Sequence, residues 1–377
     1  MPVNLPSLKI RHTNIRVPII QGGMGIGLSS YNLAGAVSKE GGLGVLSSAA
    51  LDRILTQRHG RKMNAREASA QDVRDAKKLA NGGPIGMNIM VAVINQYRDS
   101  VLGCMDGGVD VIISGAGLPL ALPEIALQHP RANEVALVPI ASSGRALEII
   151  CKRWSRSGRL PDAVVVEGPL AGGHIAWRTV EEAEAPANQL DSLLAEVFEV
   201  AKKYGNFPVI AAGGIYSHAD IKKYIDMGCA GVQMGTRFLA THESGAEEEY
   251  KRFIVESTED DIELASRVGS PCGMLFRVLK KAPFYQQALR HERAPNCDKG
   301  YLLNKGKCPS KEENEKTFCI CNGLLSSVSM NNKPEEKKLY TVGAYAHRVK
   351  KIVSVHELMQ ELQGLEADLL KTANTSY

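Results

Sequence analysis

Along the first two-thirds of the chain, two hydrophobic patterns alternate. Short, continuous apolar runs occur at 17–21 (VPIIQ), 43–48 (LGVLSS), 85–90 (IGMNIM), 109–114 (VDVIIS), 136–141 (ALVPIA), 163–167 (AVVVE), 207–212 (FPVIAA) and 231–235 (GVQMG). Runs of this length that skip the polar alternation of a half-exposed strand read as strands buried on both faces. Between them lie stretches with apolar residues at helical spacing, including 29–39, 66–80, 119–128, 145–155, 190–204 and 217–227. Eight such strands separated by helices predict an α/β fold, a (β/α)8 TIM barrel. The rival is an open doubly wound sheet, which carries a G-x-G-x-x-G fingerprint. Gly22-Gly23-Met24-Gly25-Ile26-Gly27, after the first run, departs from that spacing, and no Walker-type phosphate loop occurs.

The pattern weakens after about residue 258. Residues 258–338 are rich in Lys, Glu, Asn and Cys, and order returns near Leu339-Tyr340-Thr341. Ser354 and Glu357 form a capping-box pattern ahead of an apolar stripe of Leu358, Leu362, Leu365 and Leu369. The expected organisation is a barrel over 1–257, a cysteine-bearing insertion or lid over 258–338, and a C-terminal segment over 339–377. The helix of that last segment packs back on the barrel; a homodimer contact is the alternative use of its stripe.

Composition changes this picture little. Of 377 residues, 44% are hydrophobic and 23% charged, and the formal net charge of +4 is too small to argue for nucleic acid. Met1-Pro2-Val3-Asn4-Leu5-Pro6 has no cationic region before an apolar core, and no apolar run approaches the ~20 residues of a membrane span. The expectation is a cytoplasmic protein with no membrane partner. Eight cysteines without a secretory signal argue against a disulfide scaffold. Cys104, Cys151 and Cys229 sit in apolar or helical contexts, whereas Cys297, Cys308, Cys319 and Cys321 fall within 25 residues. Zinc sites usually show C-x2–4-C knuckles, and here only the C-x-C pair is close. An iron–sulfur cluster also takes four thiolates and tolerates varied spacing. Cys272 is a fifth candidate.

The chemistry concentrates at strand ends. The sixth run ends in Glu167-Gly168-Pro169-Leu170-Ala171-Gly172-Gly173-His174. It combines a carboxylate, a loop that a flat ligand can approach closely, and an imidazole able to move a proton near neutral pH. The seventh and eighth runs end in Ala212-Gly213-Gly214-Ile215 and Gln233-Met234-Gly235-Thr236, a phosphate cradle where barrels commonly place one. Arg277, Lys280, Lys281, Arg290 and Arg293 crowd one stretch and would steer an acidic partner if they formed a basic surface. Met24, Met90, Leu118, Leu275 and Phe276 are candidate walls for an apolar tunnel.

Gln21-Gly22-Gly23-Met24, Gly86-Met87-Asn88, Glu167 through His174, Ala211 through Ile215 and Gln233 through Thr236 occur in order at successive strand ends. Together they resemble the nitronate monooxygenase (2-nitropropane dioxygenase) superfamily, FMN-dependent barrels that include the FabK-type enoyl-ACP reductases. Ser114 through Pro119, Cys151-Lys152-Arg153-Trp154, the cysteine insertion and Lys351 through Leu358 resemble its iron–sulfur, FabX-type branch. The resemblance implies FMN held by Gly22, Gly23, Met24, Asn88, Glu167, Gly173, Ala212, Gly213, Gly214, Gln233, Met234, Gly235 and Thr236, with His174 as the catalytic proton shuttle. It further implies a [4Fe–4S] cluster on Cys297, Cys308, Cys319 and Cys321, although that branch bunches its first cysteines more closely. The reaction it implies belongs to unsaturated fatty-acid synthesis. A medium-chain acyl group on acyl carrier protein is dehydrogenated, and the trans-2 alkene is isomerised to cis-3. A nitronate monooxygenase and an NAD(P)H-dependent enoyl-ACP reductase are the alternatives.

Overall fold

A computed structural model describes residues 5–265, 275–290, 292, 320–328 and 337–365. Eight parallel strands close into a barrel: β1 (Ile19–Gln21), β2 (Leu43–Ser47), β3 (Ile85–Met90), β4 (Val111–Gly115), β5 (Ala136–Ala141), β6 (Val164–Glu167), β7 (Val209–Ala212) and β8 (Gly231–Met234). Each strand pairs with the next in sequence, and β8 pairs with β1. Each of the eight apolar runs contains one strand. Their continuity has a simple cause: alternate residues face inward or outward, and both sides are apolar. Ile20, Val45, Val111, Ile113, Val138, Val165 and Ile210 share one buried cluster inside the barrel. Their neighbours Ile19, Val164, Val166, Val209 and Val232 pack outward against helices. An antiparallel hairpin, Leu8–Ile10 with Thr13–Ile15, adds Leu8, Ile10 and Ile15 to the inner cluster ahead of β1.

Helices occupy the connections, including Tyr31–Lys39, Ala65–Leu79, Gly144–Ser155, Leu190–Lys203 and His218–Asp226. The helix expected over 119–128 is shorter, Leu122–Ala126, followed by a 3-10 turn at Pro130–Asn133. Pro123 sits in its first turn, where the missing N–H costs nothing. The outer layer is completed from far along the chain. After a single turn at Thr236–Leu239 the chain leaves the barrel, and it returns where Thr241 bridges Val353. There Ser354 and Glu357 form the expected capping box for the helix Val355–Leu362. Leu358, Met359 and Leu362 are buried against Leu33, Val37 and Phe238. The stripe does not continue as expected. Gly364 adopts φ +74, the Leu365 N–H returns to the Gln360 carbonyl at 3.0 Å, and the Gly364 N–H bonds Glu361 at 2.9 Å. That paired closure ends the helix before Leu365; Leu369 lies outside the described residues.

The excursion between 240 and 353 builds a cap over one side of the barrel. Its described elements are the helices Glu248–Glu256, Pro283–Leu289 and Ile320–Leu325 and the strands Ile262–Leu264 and Phe276–Leu279. Phe276, Val278, Phe284, Tyr285, Leu339 and Tyr340 are buried in a core of their own. Each element is too short to leave a long periodic signature, which is why composition dominates the sequence pattern there. The cap joins the barrel through a three-stranded sheet, in which Phe276–Leu279 pairs antiparallel with Gly173–His174. No helix among the described residues is long and apolar enough to cross a membrane.

Candidate active site

The uppermost inward-facing positions of the barrel belong to the residues singled out in the sequence. Strand register places Glu167 beside Ala212 and Ala212 beside Gln233. Asn88 stands on β3 beside Ser47 of β2. Between β8 and β3, Gly22 and Gly23 carry the chain across the mouth. The Gly22 N–H bonds the Met234 carbonyl at 2.9 Å. A Cβ on Gly22 would lie 3.1 Å from the Gln233 side chain, and one on Gly23 would strike Asn88 and stand 2.9 Å from the Leu46 carbonyl. Gln233, Gly22, Gly23 and Asn88 therefore form one continuous floor with no room for a further side-chain atom. Gln21, just below, is fully buried. Its amide donates to Ser29 Oγ at 2.9 Å and accepts from the Val45 N–H at 3.1 Å. Ser29 Oγ in turn accepts the Met24 N–H at 2.9 Å, which fixes the 22–29 loop.

Two polar groups on this floor await partners. The Gln233 side-chain oxygen is buried and makes no hydrogen bond. Burial raises the Glu167 carboxyl to about 7. A buried acceptor without a partner, such as the Gln233 oxygen, is open to a donor from a bound ligand or water. A flat heterocycle with ring N–H groups supplies one, and the glycine floor accommodates its face. The residues present thus fit the isoalloxazine of FMN.

The next two loops carry the residues expected to hold a phosphate. Gly213 and Gly214 adopt φ +93 and +80, and their N–H groups bond no backbone carbonyl among the described residues. A Cβ on Gly213 would lie 2.8 Å from the Gly168 carbonyl and one on Gly214 2.8 Å from Leu170. Only glycine combines this conformation with such close approach. Gly235 is open except for Met24, whose sulfur would stand 3.5 Å from a Cβ there. Thr236 Oγ1 accepts the Gly343 N–H at 2.8 Å, which leaves its O–H as a donor. The Met234 side chain packs outward between barrel and helices.

His174 lies beyond β6 on the short strand Gly173–His174, which pairs with the cap. Phe276 is its cross-strand partner, with ring centroids 5.7 Å apart. The loop 168–173 leading to it is held from outside. The Ala344 N–H bonds the Leu170 carbonyl at 3.1 Å, and a Cβ on Gly172 would lie 2.7 Å from the Gly343 nitrogen. These partners, and the strand that carries Phe276, are absent from the sequence reading. The Phe276-Arg277-Val278-Leu279 run was the only available signal, and nothing in it specifies a partner a hundred residues upstream.

Other expectations resolve differently. Arg277 is buried, with 6% exposure, and so contributes nothing to a basic surface. Lys281 pairs with Asp261 at 2.9 Å and Arg290 with Glu292 at 2.6 Å, so their charges are locally neutralised. Arg293 lies outside the described residues. Of the tunnel-wall residues, Leu275 and Phe276 are buried and Leu118 is exposed. Cys104, Cys151 and Cys229 are buried free thiols. Cys272, Cys297, Cys308 and Cys319 lie outside the described residues, as does the side chain of Cys321. Among the described residues, no group of three or more His, Cys, Asp or Glu could hold a metal ion.

The comparisons with known proteins give the family. A family model for nitronate monooxygenase matches residues 6–364. A probable nitronate monooxygenase of Staphylococcus saprophyticus is 27% identical over 272 residues, spanning 66% of this chain and 72% of that protein. Its counterpart from Bacillus subtilis is 26% identical over 278 residues, spanning 66% and 73%. Among solved structures, FabK from Thermotoga maritima is similar over 96% of both chains, with a TM-score of 0.66 and 25% identity. A nitroalkane oxidase from Streptomyces ansochromogenes shares the fold over 95% of this chain and 97% of its own, with a TM-score of 0.65 at 22% identity. With a matching model from residue 6 to residue 364, the chain belongs to the nitronate monooxygenase family of oxidoreductases.

Proposed function

We propose that this protein is an FMN-dependent oxidoreductase of the nitronate monooxygenase type, with His174 as the proton-transfer group. The observation that carries this reading is the orphaned buried acceptor Gln233 among glycine-lined strand ends, with His174 on the loop that leaves β6 at the same end of the barrel. When bound, FMN supplies the two-electron acceptor. Gln233, Glu167 and Asn88 would hold the edge of its ring, and Gly213, Gly214, Gly235 and Thr236 its phosphate. His174 takes the α proton of a nitroalkane or, once protonated, contacts the oxygens of a nitronate. An imidazole suits both roles because its reference pKa of about 6.5 lies near neutrality.

A second reading keeps the same residues and changes the substrate. The likeness to FabK over 96% of both chains and the cysteine-bearing insertion favour a medium-chain acyl group on acyl carrier protein. In that case His174 removes the thioester's α proton during dehydrogenation. It then takes a proton from C4 and returns one to C2 during isomerisation. A four-thiolate iron–sulfur cluster on Cys297, Cys308, Cys319 and Cys321 belongs to this reading and rests on sequence alone.

The test is anaerobic mixing of flavin-loaded protein with ethyl nitronate and, separately, with decanoyl-ACP, while flavin absorbance is followed. Bleaching by the nitronate alone supports the first reading, and bleaching by the acyl-ACP alone the second. Bleaching by neither overturns both. Iron and sulfide analysis of anaerobically purified protein tests the cluster; absence of both removes it.

A further inference from the structure

We propose that Arg277 is a positioning residue for His174: its buried guanidinium clamps the carbonyls of the loop that aims the imidazole. The inference rests on the reading of His174 as the proton-transfer group. Arg277 Nη1 donates to the Pro169 carbonyl at 2.8 Å and to the Ala171 carbonyl at 2.6 Å. It makes no ion pair with a carboxylate among the described residues; Glu184 acts on it only through space. Burial lowers its pKa to about 10, so it remains a cation at neutral pH.

An unpaired buried cation is expensive, and a hydrophobic side chain would pack the same strand at lower cost. What the guanidinium provides instead is geometric. Successive residues of a strand point to opposite faces. Phe276 therefore turns toward His174 while Arg277 turns toward the loop behind it. With the Ala344 N–H on the Leu170 carbonyl, three consecutive carbonyls, 169 to 171, are drawn outward onto donors from the cap.

The need for such a clamp lies one step further along. Gly172 and Gly173 separate the clamped carbonyls from His174. Gly173 adopts φ +72, with nothing within 4 Å of where its Cβ would be. A double-glycine hinge with an unpacked second member does not hold direction by itself. The path of the chain into His174 is set by the clamp upstream and by the strand pairing downstream. Misplacement of a reacting group by about 1 Å can cost 10²-fold in rate. Loss of the clamp therefore acts on turnover more than on substrate binding.

The experiment compares Arg277→Met, Arg277→Lys and His174→Ala with the wild type, using whichever of ethyl nitronate and decanoyl-ACP bleaches the wild-type flavin. Arg277→Met is expected to keep bound FMN and to lose about 100-fold in kcat, with KM within about threefold. Arg277→Lys, which restores a cationic donor, should recover to within about tenfold of wild type, and millimolar methylguanidine should partly rescue Arg277→Met. Amide hydrogen exchange over residues 169–175 should accelerate in Arg277→Met while the barrel strands stay protected. Should Arg277→Met fail to fold, Arg277→Gln, neutral but still a donor, takes its place with the same expected split. Wild-type kcat in the neutral variants, or a loss confined to KM, overturns the proposal. Global loss of protection without rescue by methylguanidine or lysine reduces Arg277 to a structural residue and also overturns it. Full activity in His174→Ala, or a wild-type flavin that neither substrate bleaches, would overturn the functional reading itself, and the Arg277 inference with it. Inactive His174→Ala beside fully active Arg277→Met removes the Arg277 inference alone.

Discussion

The two sides of the barrel mouth are built in different ways. On the side proposed to hold the phosphate, Gly213, Gly214, Gly235 and Thr236 sit directly at the ends of β7 and β8, and adjacent strands of a closed barrel fix their positions. On the side proposed for proton transfer, His174 lies seven residues beyond the end of β6, and the loop and strand that carry it are held by a strand, an arginine and a loop contributed from 276 to 344. The first side is local and rigid; the second depends on the cap docking in place. An enzyme built this way can keep its cofactor bound while the geometry of proton transfer is adjusted from outside the barrel.

The largest effect that would sharpen this contrast comes from Gly214→Asp. A side chain there meets Leu170 at 2.8 Å in a left-handed backbone conformation, and its carboxylate would face a phosphate. Like-charge contact of this kind costs several kcal/mol, so FMN affinity should fall by about 100-fold or more. Fluorescence titration with FMN measures it; unchanged affinity would remove the phosphate from these loops.

Glu167 gives the next largest effect. Its carboxyl is raised by burial from an ordinary 4.5 to about 7. An acid whose folded pKa lies above its unfolded value costs nothing below the unfolded pKa. Its ionisation then removes stability as pH rises through that interval. In the flavin-free protein this is worth roughly 3 kcal/mol by pH 8. Glu167→Gln should abolish that loss and flatten urea-unfolding stability between about pH 5 and 8. Buried Asp72, raised to about 6 by desolvation, titrates in the same direction and leaves a residual slope at the acid end. An unchanged slope in Glu167→Gln would place the carboxyl in a solvated setting.

Thr236→Val probes the hydrogen bond that ties the end of β8 to the cap. It removes the acceptor of the Gly343 N–H and a hydroxyl donor to the phosphate. Stability should fall by about 1 kcal/mol and FMN affinity by about fivefold, read by thermal unfolding and titration. An effect on affinity without one on stability would show that the cap docks independently of this bond. The smallest and most remote perturbation is Ser354→Ala, which breaks the capping box of the last helix. It should cost about 1 kcal/mol of stability with no change in flavin affinity. A loss of FMN in that variant would contradict the independence of the cofactor side from the C-terminal segment.

The same division decided what could be seen in the sequence. The eight strands were legible because burial on both faces leaves continuous apolar runs. The glycine loops at the ends of β7 and β8 were legible because a strand end that must take φ +93 and +80 requires glycine in place. The closing helix was announced by Ser354 and Glu357, and only its end was misjudged, because Gly364 turns the chain before Leu365. His174 was proposed from its position after two glycines. Its supports were not, because strand pairing between 173–174 and 276–277 is a long-range choice that four residues do not encode. Arg277 was grouped with surface charges for a related reason: a sequence shows a charge but not its burial. The cysteine ligands proposed for a cluster fall outside the described residues and remain a matter for iron and sulfide analysis.

The central claim is that FMN binding resides on the barrel floor and proton transfer in His174. The most direct measurement is flavin content and turnover of His174→Ala beside the wild type, with ethyl nitronate and decanoyl-ACP as substrates. The account predicts one FMN per chain in both proteins and a loss of about 10²–10⁴-fold in turnover for the variant, the range typical of general acid–base catalysis. Turnover within a factor of about three of wild type, with FMN still bound, would contradict it.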